Sequence, residues 1–329
     1  VSARLSGASE TFSRTIAVGL DPVSVRVRTN SEAWVVNKVS DSISVIDLTR
    51  NVVVRTIDTD DEPSDVVFAG SGPKAFVTCA APNRVLVFNA LNPTTPLSRI
   101  TVQAGDPRAL AVSPNGRTVY AAAFESGNAT TVLNGRLGPI TTGAETGSNN
   151  VVSAATGPYG GVNPAPNSGS TFVPAKNPNT PNQPSSLIVR KRADGRWTDV
   201  NGRDWSRFVN GADSMQTRRI AGWDLPDRDV VMIDADSFSV SYQRSLMNMV
   251  MAIAVNPATS EVTAVGTEAL NDVRFESNMT GRFLRVNRAT FLPGGGAQIS
   301  DLNPHLTYQS GNIALTQRQQ SIGDPRGIQ

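Results

Sequence analysis

The sequence contains an internal repeat, and a repeat restricts the possible folds more than any other pattern. Pro22, Pro63 and Pro107 open matching segments, which read DPVSVRV, EPSDVVF and DPRALAV with the acidic residue before each proline. The repeat length is about 42 residues. A second strand-like run follows in each unit at 33–37, 75–79 and 119–123, and a third at 42–47, 84–89 and 130–134. The first two units add a fourth run before the next acidic-proline turn, as at 52–57.

Each repeat is predicted to be one blade of a β-propeller. Val23, Val25 and Val27 alternate with polar residues, and this period of two places the two sets on opposite faces of a strand. A single four-stranded blade cannot bury both of its faces, so blades must stack around a common axis. The predicted fold class is therefore an all-β propeller of four-stranded blades. An ordinary β-sandwich with regular turns is the alternative.

Two stretches carry a resemblance to a known family. Residues 33–57 read AWVVNKVSDSISVIDLTRNVVVRTI, and residues 111–120 read AVSPNGRTVY. These stretches resemble the YVTN-type β-propeller repeat family, and the resemblance covers residues 15–134. It implies a bacterial periplasmic or cell-surface propeller that is seven-bladed in full.

The regular register is lost after the third unit, which divides the chain into three parts. Residues 1–136 are predicted to form three blades, residues 137–222 a Gly/Asn/Pro-rich insertion, and residues 223–329 further blades. Within the insertion, two strand-like runs flank Asp194 and Gly195, a pair typical of a tight hairpin. The final segment, GDPRGIQ, repeats the turn at 105–108. We expect the chain to cover about four to five blades, so a closed ring needs further blades or an unusual closure.

The composition excludes several kinds of site. The 329 residues include one His, His305, and one Cys, Cys79, too few for a cysteine zinc cage, a CxxC redox pair or a CxxCH haem attachment. The net charge of +2 provides no broad basic field, so we expect no nucleic-acid partner. No apolar run is long enough for a transmembrane helix.

The acidic-proline turns supply the first candidate binding residues. Asp106 and Asp324 precede prolines that lead into Arg108 and Arg326. Links between blades lie where the central funnel of a propeller opens, so these four side chains can converge on a ligand. Alternatively, proline presets each turn and the aspartate caps it through nearby backbone amides.

Aromatic residues in and after the insertion form a second candidate surface. Trp197, Trp205 and Trp223 lie close in sequence to several arginines and lysines. Such an arrangement can bind a peptide, a glycan or a nucleic-acid strand through stacking and cation-π contacts. It can equally pin the insertion to the propeller by burying the rings.

A third candidate is a cation site in WDLPDRD, residues 223–229. Asp224, Asp227 and Asp229 supply enough carboxylate for calcium, although the segment lacks the DxDxDG spacing of a dedicated loop. No other cofactor is evident from the sequence.

The predicted function is a non-enzymatic binding or scaffold propeller in the periplasm or at the cell surface. It would recognise a protein or glycan partner through the funnel mouth and the insertion. The family resemblance also implies two alternatives: a lactonase-like hydrolase, or the docking propeller of a longer c-type haem protein with a redox partner. Catalytic residues cannot be assigned, because His305 lies in a segment with no clear blade register.

Overall fold

The computed structural model describes residues 2–6, 9–133, 155–160, 187–199, 201–214, 226–269, 285–306 and 314–328. In these ranges the regular secondary structure is almost entirely β-strand, with two single-turn helices. Four of the sheets are four-stranded and antiparallel, and each is one blade. The predicted fold class, an all-β propeller of four-stranded blades, is confirmed. The seven-bladed ring stays a prediction.

Blades 1 and 2 form from consecutive strands. The hairpin of β1 (Ser2–Ser6) and β2 (Ser9–Arg14) precedes them. Blade 1 consists of β3 (Pro22–Thr29), β4 (Glu32–Asn37), β5 (Ser42–Asp47) and β6 (Val52–Asp58). Blade 2 consists of β7 (Pro63–Ala69), β8 (Lys74–Cys79), β9 (Arg84–Asn89) and β10 (Pro96–Thr101).

Blade 3 is interrupted by the insertion. It begins with β11 (Gly105–Val112) and β12 (Thr118–Glu125). The insertion follows, with β13 (Thr130–Leu133), β14 (Leu187–Lys191), β15 (Trp197–Thr198) and the helix α1 (Ser206–Val209). The chain then returns to complete blade 3 with β16 (Val230–Asp234) and β17 (Val240–Gln243).

Blade 4 and a short segment complete the described chain. The blade consists of β18 (Met249–Val255), β19 (Val262–Glu268), β20 (Arg285–Phe291) and β21 (Ala297–Asp301), and the helix α2 (Leu315–Arg318) follows. Gly266 in β19 lies so close to β18 that an added Cβ would stand 1.9 Å from the carbonyl oxygen of Met249. Only glycine therefore fits at this position. None of the described helices is long and apolar enough to cross a membrane.

The insertion lies two strands earlier in blade 3 than the sequence predicted, so the predicted position was wrong. Residues 130–134 were expected to form the third strand of blade 3, with the insertion after that blade's outer strands. Instead, β13 pairs with β14 inside the insertion, and β12 pairs directly with β16. Thr118 lies opposite Asp234 and Ala122 opposite Val230. The insertion therefore emerges between the second and third strands of blade 3. The hairpin predicted around Asp194 and Gly195 is confirmed by the pairing of β14 with β15.

The hydrophobic core lies between the blades. Trp34 of blade 1 is fully buried and its ring meets that of Phe68 of blade 2 edge-on, with the centroids 5.3 Å apart. Equivalent clusters fill the interfaces between blades 2 and 3 and between blades 3 and 4. The first strands of consecutive blades, β3, β7, β11 and β18, pack side by side along these interfaces. Each blade is consequently stabilised by its neighbours.

One blade face in the described structure has an exposed apolar stripe. The repeat register makes Val25 equivalent to Val66, Leu110 and Ile253, each on the face turned toward the preceding blade. Val66, Leu110 and Ile253 are 0%, 2% and 8% exposed, whereas Val25 is 62% exposed. Val23 and Val27, on the same face of β3, are 45% and 64% exposed. All four first strands therefore have an aliphatic side chain at this position, but it is buried only in blades 2, 3 and 4.

This difference predicts unequal costs for the same substitution at equivalent positions. We expect Val66→Ala to lower the free energy of unfolding by about 2 kcal/mol, because two buried methyl groups are lost and a cavity remains. Val25→Ala should change it by less than about 0.5 kcal/mol, since the side chain is already hydrated. Urea denaturation followed by tryptophan fluorescence measures both. Equal losses would show that another surface covers Val25 in solution.

Candidate functional site

The first strands of the four blades surround a cavity of about 570 Å³. Parts of β3, β7, β11 and β18 line it, together with residues 326–328. Four basic side chains line the cavity: Arg26, Lys38, Arg108 and Arg326. Apolar side chains of the same strands, such as Val67 and Ile253, lie beside them. The cavity is thus basic, mixed in polarity and built on rigid strands.

Asp65 is the buried centre of the wall. It is 5% exposed, and its carboxylate accepts five hydrogen bonds. Ser24 donates through Oγ at 2.5 Å, and Arg26 through Nε at 3.1 Å and Nη2 at 2.8 Å. The backbone amides of Val66 and Leu110 donate at 2.9 Å each. Asp65 therefore joins blade 1 to blade 2 and blade 2 to blade 3.

Thr78 extends this network along blade 2. The amide of Asp65 donates to Thr78 Oγ1 at 3.1 Å, and that hydroxyl donates to the carbonyl oxygen of Arg108 at 2.7 Å. Arg26 Nη2 also reaches the carbonyl oxygen of Leu110 at 3.4 Å. Sequence reasoning missed Asp65. The available signal was a carboxylate in the middle of an apolar strand, at the position that holds Ser24 in blade 1 and Ala109 in blade 3.

Arg108 is held in place from two sides. Its Nε donates to Asp106 Oδ1 at 2.9 Å, and its Nη2 donates to the second carboxylate oxygen. Its guanidinium carbon lies 3.8 Å from the centroid of the Phe124 ring, a cation-π contact. The guanidinium is consequently fixed at the cavity wall without using its Nη1 donors, for which the described residues show no hydrogen-bond partner.

Arg326 repeats this arrangement in the last segment. Its Nε donates to Asp324 Oδ2 at 2.6 Å, and its side chain is 83% exposed. The structure thus brings Arg108 and Arg326 to one cavity, and each aspartate binds the arginine two residues later. Asp106 does not cap its turn with its carboxylate. Its own amide instead donates to Asn83 Oδ1 at 2.7 Å.

The acidic residues adopt an unusual backbone conformation. Asp21, Glu62 and Asp106 have φ angles of 52°, 54° and 52°, in the left-handed region. The amide of Glu62 donates to Asp41 Oδ1, which matches the bond from Asp106 to Asn83 one blade later. Glu62 also lies 3.4 Å from Lys38 Nζ. The turns are therefore fixed by side chains of the preceding blade, and their carboxylates are left to pair with basic groups.

The predicted stacking role of the tryptophans does not fit their burial. Trp197 and Trp205 are 1% and 0% exposed, in a core that the insertion forms from its own residues. Trp205 Nε1 donates to Asp199 Oδ2 at 2.9 Å. Neither ring has a face free for a partner, so the proposal that they bind one is corrected. Among the described residues, neither ring belongs to the three blade-to-blade clusters. Trp223 lies outside the described residues.

The insertion is anchored to blade 4 by polar contacts. Arg190 Nη2 donates to Asn128 Oδ1 at 2.7 Å, and Asn128 Nδ2 donates to Glu268 Oε1 at 3.1 Å. Asn248 of blade 4 donates to Thr130 Oγ1 at 2.8 Å. The insertion begins at the end of β12, where Glu125 pairs with Gly105, the residue before Asp106. The insertion therefore leaves the propeller at the end where the cavity arginines lie.

Asp227 and Asp229 both accept hydrogen bonds from the protein itself. Asp227 accepts from the amide and hydroxyl of Ser245 at 2.6 and 2.7 Å. Asp229 is fully buried and accepts from Ser126 Oγ at 2.9 Å and from the amide of Met247 at 3.0 Å. Among the described residues, no three acidic, His or Cys side chains group as metal ligands would. Asp224 lies outside those residues, so the calcium site stays a prediction.

His305 lies away from the cavity wall. Its Nε2 is 3.1 Å from the carbonyl oxygen of Gln317 and 3.2 Å from Ser321 Oγ. The ring therefore joins the segment after blade 4 to the helix α2. His305 is not among the described residues that line this cavity.

Comparisons with known proteins add little beyond the architecture. No family model and no curated protein matches the chain, so the YVTN resemblance rests on its sequence motifs. Among solved structures, hydrazine synthase of Kuenenia stuttgartiensis is similar at 14% identity and a TM-score of 0.43, over 83% of this chain and 51% of that chain. The chain therefore spans about half the length of that neighbour.

Two further solved structures are similar over smaller parts of the chain. AztD of Citrobacter koseri has 20% identity and a TM-score of 0.25, over 28% of this chain and 26% of that chain. A protein of unknown function from Bacteroides caccae has 14% identity and a TM-score of 0.27, over 30% and 37%. Similarities at this level carry no argument about function.

The network around Asp65 predicts a strong effect on stability. Asp65→Asn should lower the free energy of unfolding by about 2–4 kcal/mol, because an amide cannot accept all five donors and leaves Arg26 without its carboxylate. Arg26→Gln should cost less, because the arginine side chain is 46% exposed and water replaces part of the ion pair. Urea denaturation compares the two variants. A smaller loss for Asp65→Asn than for Arg26→Gln would contradict the central position of Asp65.

A second prediction concerns pH. Burial raises the pKa of Asp229 from 3.8 to about 7, despite the amide of Met247 that donates to it, and the charge of Asp227 adds to the rise. The folded state then binds the proton more tightly than the unfolded chain. This contribution to stability is complete below about pH 4 and is lost as the pH rises through 7.

The pH dependence can be isolated by substitution. Between pH 5 and pH 8 the wild-type protein should lose more unfolding free energy than Asp229→Asn, which has no carboxyl group to titrate at this position. Asp227, which is partly exposed, provides the control: Asp227→Asn should still lose most of the unfolding free energy that the wild type loses between these pH values. Urea denaturation at both pH values measures the difference. Parallel losses in wild type and Asp229→Asn would contradict a raised pKa.

Proposed function

We propose that this chain is a non-catalytic binding propeller that recognises a protein or glycan partner through the mouth of the cavity and the neighbouring insertion. The observation that carries this proposal is the cavity shared by the first strands of all four described blades. Its volume of about 570 Å³ lies in the range typical of ligand pockets. Its walls combine apolar side chains with a small number of charged donors, which is the usual composition of a recognition site.

Each arginine of the wall is paired with a carboxylate before a ligand arrives. Arg26 is held by Asp65, Arg108 by Asp106 and Phe124, and Arg326 by Asp324. A side chain that is already ordered loses less conformational entropy when a ligand binds, and the affinity rises accordingly. Such preorganisation supports recognition.

The wall carboxylate is poorly suited to catalysis. Five hydrogen bonds occupy Asp65, and an arginine supplies two of them, so the carboxylate has little capacity left to take a proton from Ser24 or from water. Ser24 donates its own proton to Asp65 while that carboxylate is paired with Arg26. This saturation favours binding over hydrolysis as the role of the cavity.

The insertion extends the same end of the molecule. It begins next to Phe124 and Glu125, beside the turn that holds Arg108. Its β14–β15 hairpin exposes Lys191, Arg192 and Arg196. A partner seated at the cavity mouth can therefore meet a second basic surface. The periplasmic or cell-surface location implied by the YVTN resemblance belongs to this proposal, and antibody access to intact cells tests it.

Filling the cavity tests whether it binds anything. Ala254 lines the wall, and Ala254→Trp would occupy part of the space; Ala258→Trp, in an exposed turn of the same blade, is the matched control. Saturation-transfer NMR with a panel of short peptides, oligosaccharides and organic acids should give signals for at least one class. Those signals should persist in Ala258→Trp and weaken at least tenfold in Ala254→Trp. Signals that survive equally in both variants, or no signal with any class, would contradict the proposal.

A further inference from the structure

The arginines of the cavity have hydrogen-bond donors that the protein does not use. A guanidinium carries five N–H donors. In Arg108 the bonds to Asp106 occupy Nε and Nη2, and in Arg326 the bond to Asp324 occupies Nε. Over the described part of the chain, Nη1 of Arg108 and both Nη groups of Arg326 have no hydrogen-bond partner. Each arginine is therefore anchored on one side and has free donors on the other.

Free guanidinium donors in fixed positions favour a particular kind of ligand. A carboxylate accepts two parallel N–H bonds from one guanidinium, and charge-assisted bonds of this type are stronger than neutral ones. Lys38, which forms an ion pair with Glu62 at 3.4 Å, lines the same wall. Because Asp65 is saturated by donors, it offers little to a ligand cation. Among the charged side chains of the lining, the unused hydrogen-bonding capacity is consequently on the donor side.

The rest of the wall indicates what carries the carboxylate. Between the basic groups lie aliphatic side chains that remain accessible, including Val23, which is 45% exposed, and the half-buried Val112. The described lining contains no aromatic ring on which a sugar could stack. First strands also have an edge with no partner strand in their own blade, as for β7 and β11 at the ends of their sheets. Aliphatic and basic groups beside a strand edge match a peptide better than a uronic-acid sugar.

We propose that the cavity binds an acidic peptide segment of a protein partner, with its carboxylates on Arg108 and Arg326 and its aliphatic side chains on the first strands. This inference rests on the proposed function, and it names the chemistry of the group that enters the cavity. The carboxylates bind the free Nη donors, while Asp106 and Asp324 keep the guanidinium groups oriented.

Fluorescence anisotropy with matched peptides tests the chemistry. The probe is a fluorescein-labelled six-residue peptide of alternating glutamate and valine, and its control has glutamine in place of each glutamate. We expect the glutamate peptide to bind at least tenfold more tightly, and its affinity to fall as sodium chloride is raised. Unlabelled oligogalacturonate serves as a competitor. Equal affinity for the two peptides, or tighter binding of oligogalacturonate, would overturn the proposal.

Substitutions locate the contact. Arg108→Gln and Arg326→Gln should each weaken binding of the glutamate peptide about tenfold, whereas Arg117→Gln, at an exposed turn outside the cavity, should change it less than twofold. Arg108→Lys retains the charge without the paired donors, and it should fall between wild type and Arg108→Gln. Circular dichroism and urea denaturation establish that each variant is folded. An Arg117→Gln effect as large as that of the cavity variants would overturn the assignment.

Failure of this inference is separable from failure of the proposed function. If the cavity-filling variant Ala254→Trp abolishes the binding of some other ligand while the glutamate peptide does not bind, the cavity is a recognition site with different chemistry. That result overturns the acidic-peptide assignment and leaves the binding function intact. If no ligand responds to Ala254→Trp, both are overturned.

Discussion

The arrangement of blades 1 to 3 depends on one buried carboxylate. Burying an isolated charge costs far more than any single contact returns, so a buried aspartate is stable only when its surroundings satisfy it. Asp65 is satisfied by three different first strands: Ser24 and Arg26 of β3, the amide of Val66 in β7 and that of Leu110 in β11. The donors can all reach it only if the blades stand at one separation and in one register. Hydrophobic clusters hold the blades together, and the hydrogen bonds of Asp65 fix their separation and register.

The same residue explains why the cavity is basic. In β3 an arginine faces the axis, and its charge is tolerated because Asp65 lies behind it. In the turns, Asp106 and Asp324 form the corresponding ion pairs with Arg108 and Arg326, each two residues later in the sequence. In the pairs of Arg26 with Asp65 and of Arg108 with Asp106, the cation is more exposed than the anion. The cavity thereby presents positive groups to solvent although the chain as a whole is almost neutral.

The sequence predicted those features that depend on local periodicity. The repeated prolines placed the first strands of blades 1 to 3 correctly. It failed where a long-range choice decides the outcome. Residues 130–133 form a strand as expected, but no local pattern distinguishes a strand that pairs with β12 from one that pairs with β14. The three tryptophans lie near basic residues in sequence, yet the two described rings are buried by the insertion's own apolar residues. Asp65 escaped prediction because its importance lies in donors from two other blades.

The insertion between β12 and β16 has a consequence for the order of folding. Blades 1 and 2 join strands that are neighbours in sequence, so their contacts are local and close quickly. The central pairing of blade 3 must instead wait until residues 126–229 have been brought into a loop. For a flexible chain this closure costs about 3 kcal/mol more than a four-residue turn. The insertion reduces that cost when its own core forms first, because the pairing of β13 with β14 draws distant parts of the loop together. The small core around Trp197 and Trp205 thus lowers the loop-closure cost of pairing β12 with β16, although it is not part of blade 3.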